Sequence, residues 1–447
     1  MTNQYSQQLT IPIMENYGND YNLSWSEGVT VSLVGVDEDS HGDVKAEIEV
    51  EDSSELNPFL YGPVKVTING PLQSCIKELS EQSTVRVDWK QRMTQVKKMV
   101  LPHFRAGEPV KALGSIPEPE PIKEVLQNLV WEELPSLIYG PGGIGKSIIA
   151  LNLMDALHTG HDVAGLSAYQ GNCLYLDWET SEKQTWWRNR EILEARGEEI
   201  GSWPDPERPD SGRTKMMFYR FMSGPLSNDV KYLQKMVRKL NIRTVCIDSA
   251  GPACNGEPEN AAATLKFFKA LRQIGDSENP LNAIILAHVT HEGRKSGKSS
   301  PFGSVYWLNI PRNIFELQSS QRDGANHSDF ALHHRKSNTG PLRKEVGMRL
   351  TWHKGCTVEY LDIRKNSELV GGLSMPKQAK IYISNDGPQS LEELAEKINP
   401  SSIRSLSATL SSDKSFISQN GKWDYIEPLG VVDDDEGIGN DRNEHVE

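Results

Sequence analysis

LPSLIYGPGGIGKSIIALNL, residues 134–153, is the stretch from which the rest of the chain can be read. Residues 134–139 are a short apolar run closed by turn residues, the pattern of a buried strand, and 148–157 are apolar at helical spacing. Between them Gly140-Pro141-Gly142-Gly143-Ile144-Gly145-Lys146-Ser147 fills every fixed position of G-x-x-x-x-G-K-[ST]. Glycines at a strand-to-helix turn let backbone N–H groups close around phosphate oxygens at a helix N-terminus. In that setting Lys146 reaches the outer phosphates and Ser147 offers a hydroxyl to a magnesium ion. These eight residues are read as a nucleotide-binding loop, with ATP and Mg²⁺ as the expected ligands.

The 447 residues suffice for two or three domains. Hydrophobic residues at 37% and charged residues at 24% give an ordinary soluble balance with a sizeable core. A net charge of −13 argues against bulk attraction to nucleic acid but leaves room for a local basic groove. Cys75, Cys173, Cys246, Cys254 and Cys356 form no C-x-x-C pair and no metal spacing, which fits reduced, buried thiols in a cytoplasm. The N-terminus is polar and no stretch nears the length of a membrane span, so a cytoplasmic protein without a membrane partner is expected.

Residues 1–113 alternate strand-like runs (29–34, 64–68, 84–88) with polar turns and close on a helical stretch over 91–104, predicting a small β-rich α+β domain. Nine acids against one lysine, Lys45, between Asp37 and Glu55 read as a solvated strand pair or loop. Residues 114–123 are a proline-rich linker. From 124 to 375, apolar runs at 137–139, 173–176, 216–221, 244–247, 283–287 and 313–317 alternate with helical stretches, which implies an α/β core with a mostly parallel sheet. Runs at 330–333, 347–352 and 357–361 follow too closely for crossovers and should extend the sheet antiparallel. Within 376–430, two helical stretches (390–398 and 400–412) precede a hairpin turning at Asn420-Gly421, the order of a winged helix-turn-helix. Six Lys/Arg against seven Asp/Glu there leave DNA binding and protein docking both open. The acidic tail, 431–447, is expected to be disordered.

Hydrolysis of ATP needs a metal, a positioned water and positive charge at the transition state. RTVCIDSA ends an apolar run in Asp248, which with Ser147 makes the expected metal pair. CLYLDWETSE ends another in Asp177 and Glu179, on one side of the strand by alternation. Glu179, nearer the C-terminal edge, is the candidate general base, and Asp177 its hydrogen-bonded neighbour or a cap for the helix beginning near Ser181. AIILAHVTHEG puts His288 at the end of a third strand, the edge where ligands bind in open α/β sheets, to sense the γ-phosphate. Arg294, Lys295 and Lys298 follow among Gly and Ser, a basic loop suited to the phosphates of single-stranded DNA. LHHRKSNTGP carries Arg335 and Lys336 on a late turn, candidates for a cation supplied in trans.

Taken in order, GPGGIGKS, LYLDWE, VCIDS, LAHVTH, FGSVYWLN and HHRKSNTGP resemble RecA-fold NTPases, nearest the plasmid RepA-type hexameric helicases, with DnaB-type replicative helicases more distant, over residues 124–362. The resemblance implies a RecA-like P-loop ATPase core in which Lys146, Glu179, Asp248 and His288 are catalytic. Ser249 directly after Asp248 agrees with the RecA branch, whose base stands on the second strand. Lys336 matches the trans-acting cation of a K-x-[RN]-x-G turn. Asn338 stands where DnaB-type enzymes carry an arginine finger, which leaves Arg335 or Arg312 for that role. The resemblance further implies a motor acting on single-stranded DNA as a homo-oligomeric ring, a hexamer, in replication of phage or plasmid type. Other replication proteins are the partners expected for the flanking domains. Competing readings are a recombination or annealing ATPase that forms filaments, a nucleotide-gated adaptor whose winged helix docks a protein, and a signalling ATPase of the circadian-clock type, for which the chain has no second P-loop.

Overall fold

The computed structural model describes residues 11–426 except 18, 53–58, 84–86, 108, 109, 111, 116, 119, 199–214, 255, 276–278, 290–300, 302, 322, 323, 353 and 354. The acidic tail and the basic-loop residues Arg294, Lys295 and Lys298 lie outside the described residues.

Strands β1 (Ile13–Tyr17), β2 (Asp20–Ser24), β3 (Val29–Glu38), β4 (Val44–Asp52) and β5 (Phe59–Lys65) form an antiparallel meander in chain order. Alternation decides its faces: in β3, Val29, Val31, Leu33 and Val36 are buried, and Thr30 and Ser32 are not. The apolar face is covered by α1 (Asn69–Gln82) and α2 (Trp89–Ala106) through Leu72, Cys75, Leu79, Met93 and Val96. Two expectations change here. The run at 64–68 is strand only to Lys65, and the chain turns into α1, whose Asn69-Gly70-Pro71 start reads as a loop although a first helical turn tolerates proline. The described end of the 84–88 run is not strand; the Asp88 carboxylate instead caps α2, accepting from Gln91 N at 2.9 Å.

After the small pair β6 (Glu124–Leu126) and β7 (Val130–Trp131) comes one nine-stranded sheet. Its strands are β8 (Pro135–Gly140), β9 (Asn172–Asp177), β10 (Phe218–Phe221), β11 (Ile242–Asp248), β12 (Asn282–His288), β13 (Asn313–Ser320), β14 (His327–Ser337), β15 (Val346–Trp352) and β16 (Cys356–Tyr360). They lie side by side as β10-β9-β11-β12-β8-β13-β14-β15-β16, the first six parallel and the rest antiparallel. This is the mostly parallel α/β architecture expected from the strand–helix alternation, with the late runs extending it antiparallel. Helices α3 (Lys146–Thr159) and α4 (Glu182–Ala195) pack on one face; α5 (Val230–Lys239) and α7 (Ala261–Ile274) pack on the other, where the short α6 (Ala250–Ala253) also lies. The parallel strands are buried on both sides, as β8 shows: Ile138 enters one apolar cluster, Leu137 and Tyr139 the other. Each such fully buried side chain contributes about 1.5–3 kcal/mol.

The sheet's antiparallel end is tightly built. A Cβ on Gly347 in β15 would fall 2.0 Å from the carbonyl oxygen of Leu361, a backbone atom that cannot turn aside. Gly347→Ala is therefore expected to destabilise the core by about 1–3 kcal/mol, read as a lower urea midpoint with an unchanged slope.

Past α8 (Tyr306–Asn309) and α9 (Ser367–Val370), the C-terminal unit runs α10 (Met375–Asp386), β17 (Gln389–Ser390), α11 (Leu391–Ile398), α12 (Ile403–Ser412), β18 (Phe416–Gln419) and β19 (Lys422–Tyr425). Ser390 and Glu393 close a reciprocal capping box on α11. The hairpin turns on Asn420 and Gly421, with φ of 51° and 78°, the left-handed pair a two-residue loop requires. Strand β17 pairs with β19, and Ala379, Ile383, Leu394, Leu406, Leu410 and Phe416 form the unit's core. All five cysteines are buried and none forms a disulfide. No helix among the described residues is long and apolar enough to cross a membrane.

Candidate active site

Four neighbouring parallel strands end on polar groups at one edge of the sheet. Register sets Asp248 of β11 beside Asp177 of β9, and His288 of β12 beside Gly140 of β8. The loop after Gly140 then turns into α3. Gly143 and Gly145 hold φ of 78° and 99°, the left-handed values that glycine alone adopts at no steric cost, and Gly145 is the residue from which α3 starts. Gly140 is glycine for a different reason: a Cβ there would meet Ile144 Cδ1 at 2.6 Å and Leu317 O at 2.8 Å.

The buried Lys146 ammonium donates to Gly140 O (3.0 Å) and Pro141 O (2.8 Å), and lies 3.3 Å from His288 Nδ1. A lysine only donates, so His288 Nδ1 accepts and its proton sits on Nε2. That Nε2 faces Glu179 Oε1 at 3.2 Å. The same Glu179 oxygen accepts from the Ser249 hydroxyl. The imidazole thus bridges the loop lysine and the glutamate. The hydrogen bond from His288 and that from Ser249, with the charge of Lys146 nearby, hold the Glu179 carboxyl down to about 2 against its partial burial.

Asp248 is buried, and burial pushes its carboxyl up. The Tyr175 hydroxyl, donating at 2.6 Å, and the Ser147 hydroxyl oppose that shift and keep the carboxylate oriented. Asp177 is not paired with the Glu179 carboxylate. It accepts from the backbone N–H of Glu179 and Thr180 (2.9 Å each), and from the hydroxyls of Thr180, Thr185 and Tyr219. It is a fully buried turn-former that aims Glu179, not a second base. Tyr175 was not singled out from the sequence, and Ser249 only as the residue following Asp248; their contacts with Asp248 and Glu179 needed the adjacency of β9 and β11, which spacing along the chain does not reveal.

The residues fit a magnesium nucleotide. The left-handed glycines open backbone N–H groups at the start of α3, Lys146 is at hand for phosphate, and Ser147 and Asp248 form the hydroxyl–carboxylate pair that would hold the metal. Among the described residues no group of three His, Cys, Asp or Glu side chains is placed to hold a metal ion, so the remaining ligands would come from phosphate and water.

The late cations sit elsewhere. Arg335 donates to Glu316 (Nε, 2.7 Å) and to Gly372 O (2.8 Å). The Lys336 ammonium is wrapped by the carbonyls of Leu308, Asn309 and Pro311 at 2.7–3.1 Å, closing the C-terminus of α8, and burial lowers its pKa. Both are engaged by groups of their own chain. Arg312, in contrast, is exposed and forms no ion pair or hydrogen bond through its side chain among the described residues. The K-x-N-x-G turn is stitched to it: Asn338 N donates to Arg312 O at 2.9 Å, and Thr339 donates to the neighbouring Asn313 side chain. Arg312 stands between two clefts of about 560 and 460 Å³, the first shared with Trp131, Asn338 and Arg343. The FGSVYWLN stretch is structural over its described part, with Trp307 buried against Phe267 and Phe268.

Residues 290–300, which carry Arg294, Lys295 and Lys298, lie outside the described residues. Val289, one residue past His288, bridges to Pro301.

Compared with models of known protein families, residues 102–294 match an AAA domain, a stretch that takes in the glycine loop, Glu179, Asp248 and His288. No curated protein matches the sequence. Among solved structures the chain is similar to a KaiC-like protein from the hyperthermophilic archaeon Pyrococcus horikoshii, at 14% identity over 53% of this chain and 99% of that one, with a TM-score of 0.37.

Proposed function

We propose that this P-loop NTPase of the RecA type is an ATP-driven motor that acts on single-stranded DNA as a ring, a hexamer, in replication of phage or plasmid type. The observation that carries the reading is the bridge Lys146–His288–Glu179, whose histidine lies one residue before Val289, which bridges to Pro301, with Arg294, Lys295 and Lys298 between them in sequence. Any movement of the lysine or the glutamate as phosphate is cleaved is felt by His288 and passed to Val289. A phosphate-sensing group coupled to a cationic loop is what a motor that grips and releases a nucleic-acid backbone needs.

In this scheme Lys146 and the backbone of 140–147 bind ATP, Ser147 and Asp248 hold Mg²⁺, and Glu179 accepts the proton of the attacking water. Arg312 of a second copy completes the site. Steady-state ATP hydrolysis with and without single-stranded DNA, repeated at rising salt, tests the reading. Stimulation that fades with salt is expected, because each phosphate contact releases counterions. A rate indifferent to nucleic acid overturns it.

One observation favours a protein-docking use for the C-terminal unit, which takes a winged-helix arrangement in this reading. Of its six cations, Lys377 and Lys397 are ion-paired, Lys380 lies over Tyr425, and Lys414 and Lys422 stand off the helices, while α12 itself offers only Arg404 to a groove. That surface suits a protein partner of the replication machinery better than a phosphate backbone.

A further inference from the structure

The N-terminal sheet meets the ATPase core through charge. On β4, Glu47, Glu49 and Glu51 alternate with the buried Ala46, Ile48 and Val50, so the three acids line the face opposite α1 and α2. On α5, Lys231, Lys235 and Arg238 recur at i, i+4 and i+7, a ridge on the side away from Leu233 and Val237. The two rows face each other: Lys231 pairs with Glu47 at 2.7 Å and Lys235 with Glu51 at 3.7 Å. Asp20 of β2 lies in the field of both Lys231 and Arg238, and the Lys231 stem runs past Gly35. All four paired side chains stay about half exposed, so these contacts are weak one by one and screened by salt. Tyr232, exposed beside Lys231, carries the Arg220 guanidinium 4.1 Å over its ring.

A row of cations with a neighbouring aromatic face is the chemistry that tracks a single strand: phosphates on the lysines, a base on the ring. Glutamates about 7 Å apart along an extended strand present a repeating anion to that row, much as a phosphodiester backbone does. We propose that the Lys231–Lys235–Arg238 ridge of α5 is a binding surface for single-stranded nucleic acid, and that the acidic face of β4 occupies it as an internal competitor. The N-terminal domain is then a cover that nucleic acid displaces, which gives it a role in controlling loading. The choice of nucleic acid as the competing polyanion rests on the motor reading above; the ionic contact does not.

The test is binding of a fluorescent oligo-dT to the full chain, followed by anisotropy at low salt. A cover closed nine-tenths of the time weakens binding about tenfold, so Glu47→Gln/Glu51→Gln is expected to bind about tenfold tighter than the unaltered chain. Glu78→Gln/Glu81→Gln on α1 makes the same change in net charge away from the ridge and should show no such gain. Adding Lys231→Gln/Lys235→Gln to the first variant should erase its gain. Equal affinity of the first variant and the unaltered chain overturns the proposal, as does a gain that survives loss of the two lysines. These positions are exposed and none is among the groups placed at the ATP site, so DNA-stimulated hydrolysis by the unaltered chain separately decides the motor reading, and either can fail without the other.

Discussion

Glu179→Gln is expected to lower ATP turnover by about 10²–10⁴-fold while nucleotide binding survives. The glutamine keeps the shape of the side chain and an oxygen for the Ser249 and His288 donors, but cannot take a proton from water. Lys146, Ser147 and Asp248, the groups that would hold the nucleotide and its metal, do not depend on that charge. Binding of a fluorescent ATP analogue together with steady-state hydrolysis separates the two effects. Undiminished turnover would sink the assignment, and Asp177 offers no refuge because both its oxygens are taken up by Thr180, Thr185, Tyr219 and the Glu179 backbone. The carboxylate has a second signature in stability. Its folded-state pKa of about 2 lies below the ordinary 4.5, so its ionised form stabilises the fold above pH 4.5. That contribution is lost as pH falls from 4.5 towards 2. Glutamine lacks it, so the difference in urea midpoint between the two proteins should shrink across this window. Half-exposure and solvent screening keep that difference small.

Much of the core was legible because its signals are local. A strand, a glycine turn and a helix follow one another within residues 134–153, and each later strand ends on its own polar residue, Asp177, Asp248 or His288, so the edge that carries the chemistry can be read from motif order. Pairing partners across the sheet are another matter. Tyr175 reaches Asp248 and Ser249 reaches Glu179 because β9 lies beside β11, and His288 reaches Lys146 because β12 lies beside β8. Strand order is a tertiary fact, set by which apolar faces pack, and no periodicity records it. The late cations show the same limit from the other side. Arg335 and Lys336 read as available charges in sequence, yet a glutamate on the adjacent strand and the open end of a short helix engage them. In the N-terminal domain α1 was missed because Asn-Gly-Pro is turn chemistry until the apolar stripe Leu72, Cys75, Ile76 and Leu79 finds a sheet to cover.

Arg312→Ala is expected to reduce hydrolysis by about 10³–10⁵-fold, the range a transition-state arginine supplies. Its position argues that the effect is exerted on a second copy. Asn313 pairs with Ser136, four residues short of Gly140, so Arg312 lies about 13 Å or more from its own glycine loop, towards the opposite edge of the sheet. An exposed guanidinium beside two clefts, without an ion pair among the described residues, is placed to serve a site brought to it. In the ring proposed above, a head-to-tail contact would do that, the nucleotide edge of one copy meeting the Arg312 face of the next. Mixing makes the prediction sharp. Glu179→Gln subunits are dead in their own site but lend a good Arg312, and Arg312→Ala subunits keep a good site but lend nothing. In an equal mixture, about a quarter of contacts pair an intact site with an intact arginine, so two inactive proteins should regain about a quarter of the normal rate once subunits exchange. If Arg312 acted within its own chain no contact could combine the two, and the mixture would stay dead.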